Sequence, residues 1–319
     1  MIVTFTANPS LDRTAQLEQA LTRGGVHRVR SVTVEPGGKG VNVARAIFYA
    51  DQPVVTLLPA GPHDPILDAI DQLGLPYKSV QVPTPVRTNI TLTEDDGTTT
   101  KINEPGPQLT PGLVDELAAL ILAEAEGADW VVLSGSLPPG APVDWYATLV
   151  KSLRKLPCKI AVDTSDAPLQ ALVDAFPEAA PDLLKPNSEE LAQLTGEDAV
   201  WLEASAKRGD PQPCVQAGRI LRDRGVTNVL ATLGASGAVL ITAEGAWHAT
   251  PPPITPKSTV GAGDSSVAGY VLADTAGASP EDRLRTAVSY GSAAASLAGT
   301  AIPRPDQAEP GLVVITPVD

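Results

Sequence analysis

The chain has 319 residues, 43% of them apolar, and a formal charge of −14 from 23 Lys and Arg against 37 Asp and Glu. That balance excludes disorder and allows a large buried core, in one α/β domain or two smaller ones. The acidic surface argues against a general affinity for nucleic acid or anionic membrane, and with aromatics at 4% no stacking platform for single strands is expected.

In chain order, the opening stretch MIVTFTANPSLD has no basic region followed by an apolar segment and a small-residue cleavage site. It reads as a first strand, and the cytoplasm is the expected location. No run reaches the roughly 18 apolar residues needed to cross a bilayer. From about Leu11 to Val34, β-branched and polar residues alternate around a turn signal at Gly24-Gly25, and the pattern returns from Val86 to Ile102 around Asp95-Asp96-Gly97. These stretches predict strands and hairpins of a small extra sheet beside a main one.

Between them, EPGGKGVNVARA (35–46) sets Gly37, Gly38 and Gly40 around Lys39 and runs into a helix. Close backbone approach plus one ammonium suits a phosphorylated or hydroxylated ligand, and Asn42 can bind a sugar hydroxyl. The segment is not a Walker A loop, which needs Ser or Thr where Gly40 follows Lys39. Read alone, it is equally a flexible turn.

From Val54 onward, short apolar runs alternate with helix-length amphipathic ones. Strands are predicted at 54–58, 130–133, 159–162, 182–184 and 228–232. One helix starts after Thr110-Pro111, an N-cap followed by the residue suited to the first helical position, and sets Leu113, Leu117, Leu120 and Ile121 on one face. Repeated strand-then-helix order predicts a mostly parallel sheet covered on both faces. Residues 197–213 are polar and turn-rich and read as a surface insertion without chemistry.

Three further turns carry chemical signals. LKPNSEE (184–190) ends a strand and sets Asn187 and Glu190 three apart at a helix start. Both oxygens can then face one point, where Mg²⁺ waters or nucleotide phosphates would sit; the same residues also make an ordinary helix cap. TLGASG (232–237) is another Gly-rich turn leaving a strand. KSTVGAGDSSVA (257–268) brings the amides of Gly261, Ala262 and Gly263 to a helix N-terminus, with Asp264 on the first turn. A phosphoryl group resting on those amides would lie beside a carboxylate able to take the proton of an attacking hydroxyl; a tight loop with a cap is the plain alternative.

Cys158 and Cys214 lie far apart with no CxxC partner, so neither a disulfide framework nor a zinc ribbon is expected. With only His27, His63 and His248, multi-histidine metal sites are not expected either. Four Gly-rich or capped turns at the carboxyl edge of a parallel sheet together point to phosphoryl transfer from a nucleotide to a hydroxyl.

PGGKGVNVARA and STVGAGDSSVAGY, with NPSLD, VRTN, NEPGP, SGSLPPG, KPNSEE and TLGASG in order between or around them, resemble the signatures of the PfkB, or ribokinase-like, carbohydrate kinases over nearly the whole length. Lys39 within PGGKG, with NEPGP and SGSLPPG, resembles the phosphosugar branch and most closely its 1-phosphofructokinase members. The resemblance implies one three-layer α/β/α kinase domain over 1–319, with a small β-sheet lid from about 11–35 and 85–104. The implied activity is ATP- and Mg²⁺-dependent phosphorylation of fructose 1-phosphate at its 6-hydroxyl. Fructose 6-phosphate and tagatose 6-phosphate are the alternative acceptors, and a non-catalytic nucleotide-binding regulator is the remote one.

By the same resemblance Asp264 is the general base, and Gly261, Ala262 and Gly263 form the anion hole. Asp12, Gly38, Lys39, Asn42, Arg87 and Ser136 would hold the sugar phosphate. Lys185, Asn187, Thr232, Gly234, Ser236 and Gly237 would hold ATP, Asn187 and Glu190 would reach Mg²⁺ through water, and residues 289–296 would pack near the adenine. The lid implies a homodimer. His27, inside the lid, occupies a place where related members carry a cation or another polar residue.

Overall fold

The computed structural model describes residues 1–318. β1 (Ile2–Thr6), buried throughout, leads into β2 (Ser10–Leu17) and β3 (Val29–Gly37). α1 (Lys39–Tyr49), β4 (Val54–Pro59), α2 (Pro65–Leu73), β5 (Tyr77–Val80), β6 (Arg87–Thr93) and β7 (Thr99–Asn103) follow. Next come α3 (Pro111–Ala125), β8 (Trp130–Ser134), α4 (Trp145–Leu153), β9 (Lys159–Asp163), α5 (Asp166–Asp174), β10 (Leu183–Leu184) and α6 (Ser188–Thr195). The chain then forms α7 (Ala199–Lys207), α8 (Gln212–Asp223), β11 (Asn228–Thr232), β12 (Ala238–Ile241), β13 (Ala246–Thr250), α9 (Ala262–Thr275), α10 (Pro280–Ser296) and β14 (Val314–Pro317).

Ten strands make one sheet in the order β14-β13-β12-β11-β10-β9-β8-β1-β4-β5. From β11 to β5 all neighbours are parallel, with Ile2 registered against Trp130 on one side and Val54 on the other. β12 to β14 add an antiparallel edge. Parallel neighbours need crossovers, and the helices that supply them cover both faces. The core therefore splits into two clusters, one around Phe5, Leu133, Trp145 and Tyr146 and the other around Ile2, Ile47, Trp130 and Tyr270. The expected mostly parallel α/β/α sheet is present, and its carboxyl edge collects the glycine turns. Among the described residues, no helix is long and apolar enough to cross a membrane.

Two local expectations are corrected. α3 starts as predicted, with Thr110 Oγ1 accepting the Leu113 amide at 3.4 Å, but its buried face is Val114, Leu117, Ile121 and Ala125, while Leu113 and Leu120 are only partly buried. Leu113 and Leu120 flank that face and pack against the same core cluster, so the buried side is wider than the four leucine and isoleucine positions suggest. Residues 197–213 are not turn-rich coil: they hold α7 and the start of α8. Asp198 caps α7 by accepting the Trp201 amide at 2.8 Å, and Leu202 and Ala206, one helical turn apart, are buried in the core. A stripe of two apolar residues was too narrow to read as a helix face.

The stretches about 11–35 and 85–104 form a separate four-stranded sheet, β3-β2-β6-β7. Its register aligns Glu35, Asp12, Asn89 and Asn103 in one row and Thr33, Thr14, Thr91 and Lys101 two residues along. Because strand side chains alternate, those rows share a face, and Val34, Arg13, Ile90 and Ile102 occupy the other. The polar face turns toward the carboxyl edge of the main sheet.

Candidate active site

A cavity of about 450 Å³ lies between that polar face and the carboxyl edge. The four-stranded sheet contributes Asp12, Arg87, Asn89 and Asn103, and α1 and its cap contribute Gly38, Lys39 and Asn42. The strand ends contribute Ser136, Asp163 and Lys185, and the start of α9 contributes Gly261, Gly263 and Asp264. All six residues predicted for the sugar phosphate are thus in one cavity.

α9 begins at Gly261, its N-cap, so its first amides have no carbonyl one turn back. Among the described residues the amides of Gly261, Gly263 and Asp264 have no partner, whereas that of Ala262 makes a long bond to Thr259 O, 3.4 Å. Of the predicted trio, Ala262 is the one whose N–H leans back on Thr259, and the Asp264 amide is a further free donor beside it. Asp264 is buried, and its Oδ2 accepts the Asn42 Nδ2 at 2.8 Å. Burial pushes its carboxyl up to about 6; Lys39 opposes this, and Asp163 adds to it. Such a carboxyl is ionised at neutral pH yet basic enough to take a proton.

Beside Asp264 stands a residue the sequence reading missed. Asp163 Oδ1 accepts Lys39 Nζ at 2.9 Å and pairs with Lys185 Nζ at 3.3 Å. Burial alone would lower the Lys39 ammonium, but Asp163 and Asp264 outweigh it and hold the group above its ordinary value. Burial likewise would raise Asp163, yet Lys185 and Lys39 keep it below the usual carboxylate range. The available signal was position: an aspartate directly after the predicted strand 159–162, at the edge where ligands bind in such sheets.

Asp12 Oδ1 accepts Ser10 Oγ at 2.8 Å and Asn89 Nδ2 at 3.1 Å, leaving Oδ2 for the cavity. Arg87 is held by two carbonyls, Asn8 O at 3.1 Å and Glu104 O at 3.3 Å. Burial holds its guanidinium below the ordinary value, against the pull of Asp12. Ser136 is exposed at the rim. His27 does not line the cavity; its Nε2 accepts the Thr22 amide at 3.0 Å. Cys158 and Cys214 are both free and buried.

On the side predicted for the nucleotide, only Lys185 lines the cavity. Asn187 and Glu190 do not turn their oxygens to a common point. They form a reciprocal cap, each side chain accepting the other's amide at 2.8 Å. The exposed first amides of α6 demand such acceptors, and these two are the nearest. Thr232 bridges to Asn187, bringing the single turn Gly234–Ser236 beside the start of α6. Gly237 closes that turn with φ of 91°; a Cβ there would stand 1.8 Å from Ala249 O, so no other residue fits. Gly291 of α10 packs on Ala262 O and Ser266 Oγ, which sets residues 289–296 against the first turns of α9.

Among the described residues, no three His, Cys, Asp or Glu converge to hold a metal directly. Glu190, whose charge reaches Lys39 and whose second oxygen lies outside the cap, fits a magnesium ion that keeps its waters and is carried by phosphates. That donor set is compatible with Mg²⁺ and with no tightly caged metal.

Comparison with known proteins agrees with this geometry. The profile of the pfkB family carbohydrate kinases matches residues 6–307. A 1-phosphofructokinase of Haloferax volcanii is 36% identical over 305 residues, 95% of this chain and 93% of its own. Phosphofructokinase-2 from Escherichia coli, solved in complex with substrates and products, superposes with a TM-score of 0.86 at 30% identity over 96% of both chains. The same enzyme is known in a tetrameric inhibited form, with a TM-score of 0.83 and 29% identity over 94% of this chain and 95% of that one. A ribokinase from Thermotoga maritima shares the fold, with a TM-score of 0.73 at 18% identity over 97% of each chain.

Proposed function

The chain belongs to the pfkB family of carbohydrate kinases, and from that premise we propose that it transfers the γ-phosphoryl group of ATP to the 6-hydroxyl of fructose 1-phosphate, giving fructose 1,6-bisphosphate. The observation that carries this reading is the meeting of Asp264 with three unpartnered amides at one end of a polar cavity that also holds Lys39 and Arg87.

In this reading Asp264 takes the proton of the acceptor hydroxyl, oriented by the Asn42 bond that leaves Oδ1 for substrate. Asp12 Oδ2 and Asn103 bind ring hydroxyls, and Arg87, Lys39 and Ser136 face the sugar phosphate. As the bond to the leaving oxygen breaks, the amides of Gly261, Gly263 and Asp264 stabilise charge on the migrating group. Lys185 and the turn 232–237 hold the nucleotide, with residues 289–296 beside its base. Glu190, through the oxygen its cap leaves free, would reach a magnesium ion through water, and the ion would supply charge neutralisation at the phosphates. The four-stranded sheet acts as a lid, excluding water that would otherwise accept the phosphoryl group. A cytoplasmic location goes with this reading.

A coupled assay with ATP and Mg²⁺ tests it against fructose 1-phosphate, fructose 6-phosphate and tagatose 6-phosphate. The highest kcat/KM is expected for fructose 1-phosphate. A preference for either 6-phosphate moves the assignment to that reaction, since the fructofuranose ring is nearly symmetric end to end. No turnover with any of them favours a nucleotide-binding regulator.

The outer face of the lid supports a homodimer. Val34 and Ile102 lie in one row of that face and are 53% and 54% exposed, with Val32 behind them. Exposed Val34 and Ile102 on either side of Arg13 and Ile90 make a largely apolar row left in water, a contact surface for which a second copy presents the matching one. Light scattering on the double variant Val34→Lys, Ile102→Lys is expected to give a monomer where the parent is a dimer. A parent that is monomeric, or a variant still dimeric, removes the lid from assembly.

A further inference from the structure

We propose that Asp163 is a positioning residue of the transfer centre, one buried carboxylate oxygen that seats two ammonium groups, Lys39 from the sugar side and Lys185 from the nucleotide side. The inference rests on the reaction proposed above, and it assigns work to a residue that touches neither substrate in that scheme.

Asp163 is 1% exposed and Lys185 5%, while the Lys39 side chain, 36% exposed, reaches the carboxylate from the cavity; a carboxylate buried this deeply is costly without its cations. Both lysines converge on Oδ1, at 2.9 and 3.3 Å. Two ammonium groups brought this close repel each other, and the shared anion is what allows the arrangement. Among the described residues Oδ2 accepts no hydrogen bond, so no amide or hydroxyl there competes with the lysines for the charge. The backbone fixes the carboxylate: Gly135 N donates to Asp163 O at 2.9 Å, and Lys185 N donates to Val162 O at 3.2 Å. A strand end bonded on both sides is a rigid mount for a side chain that must place two flexible ones.

The consequence reaches Asp264. The charged groups around it are Lys39 on α1, Asp163 at the end of β9 and Lys185 after β10, with Asp12 and Arg87 across the cavity on the lid. Lys39 and Lys185 favour the ionised base, and Asp163 opposes it. Asp163 thus tethers the two cations while keeping the base from becoming too weak, a balance that a purely structural carboxylate would not set.

The test is Asp163→Asn, which keeps the shape and one acceptor oxygen but removes the charge. Asp264 is followed by ¹³C NMR of labelled aspartate, its signal assigned by loss in Asp264→Asn. Its titration is expected to move to lower pH in Asp163→Asn and to higher pH in Lys39→Ala. Because this readout needs no turnover, it stands even if the assay finds none of the three sugars accepted. With an active parent, Asp163→Asn is expected to lower kcat about 10²-fold, the scale of losing one charge-stabilising group, with smaller changes in both KM values. In the Lys39→Ala background the same change should cost less, because half its work is gone. An unmoved Asp264 titration, or full additivity of the two changes, overturns the proposal. Should Asp163→Asn not fold, Lys39→Ala and Lys185→Ala decide it: each is expected to raise the Asp264 titration, and no rise in either overturns the tether.

Discussion

Asp264→Asn is expected to lower kcat at least about 10²-fold, the low end for a positioned acid–base group, with the fold intact and the sugar-phosphate KM little changed. Asparagine matches the carboxylate in shape, and its oxygen can still accept the Asn42 amide that now binds Oδ2 at 2.8 Å. Only proton acceptance is lost. In the parent, kcat/KM should fall about tenfold per unit below pH 6, because the base is inactive once protonated and burial has raised its carboxyl to about 6. The residual rate of the variant should lack that limb. The stability sign is opposite to the usual carboxylate case. A buried acid with a raised pKa costs the folded state stability above that pKa, where it must ionise, so Asp264→Asn should melt at or above the parent at pH 8. A near-normal kcat, or an acid limb that survives the substitution, would take the base role from Asp264.

Much of this arrangement could be read from the chain because its signals are local. Glycines around Lys39 and around Ala262 mark close approach within a few residues of the groups they serve, and Thr110-Pro111 writes a helix start in two letters. Asp163 carries no such mark. Its meaning comes from Lys39 and Lys185, 124 and 22 positions away, which only the sheet brings together. Asn187 and Glu190 show the reverse difficulty, since Asn-x-x-Glu at a helix start serves a cap as readily as a ligand, and here the backbone claims them first. The division of the four-stranded sheet into a polar face and one that carries Val34, Ile90 and Ile102 around Arg13 was likewise hidden, because both rows alternate within the same short strands and only the register decides which row meets the cavity.

Gly40 is where local reading and three-dimensional cause part most clearly, and it carries a large expected effect. Its sequence context suggests backbone drawn close to a ligand, but the neighbour it accommodates is β1: a Cβ at Gly40 would stand 2.5 Å from Thr6 Oγ1 and 2.6 Å from Phe5 O. Phe5 lies in a central strand bonded on both sides, so it is α1 that must yield. Gly40→Ala is therefore expected to cost about 3 kcal/mol, the upper range of overpacking, and to lower Tm by roughly 4–5 °C for a chain of this size. Moving α1 also moves Lys39 and Asn42, which hold Asp163 and Asp264, and a misplacement of about 1 Å can cost about 10²-fold in rate. The control is Gly112→Ala, at a helical position where an added Cβ meets nothing within 4 Å; it should leave kcat unchanged and Tm equal or slightly raised, since alanine favours helix over glycine. Thermal melts and steady-state kinetics on the pair decide the matter: a Gly40→Ala enzyme as stable and as fast as the Gly112→Ala control would mean that the seat of α1 on β1 does not set the geometry of the base.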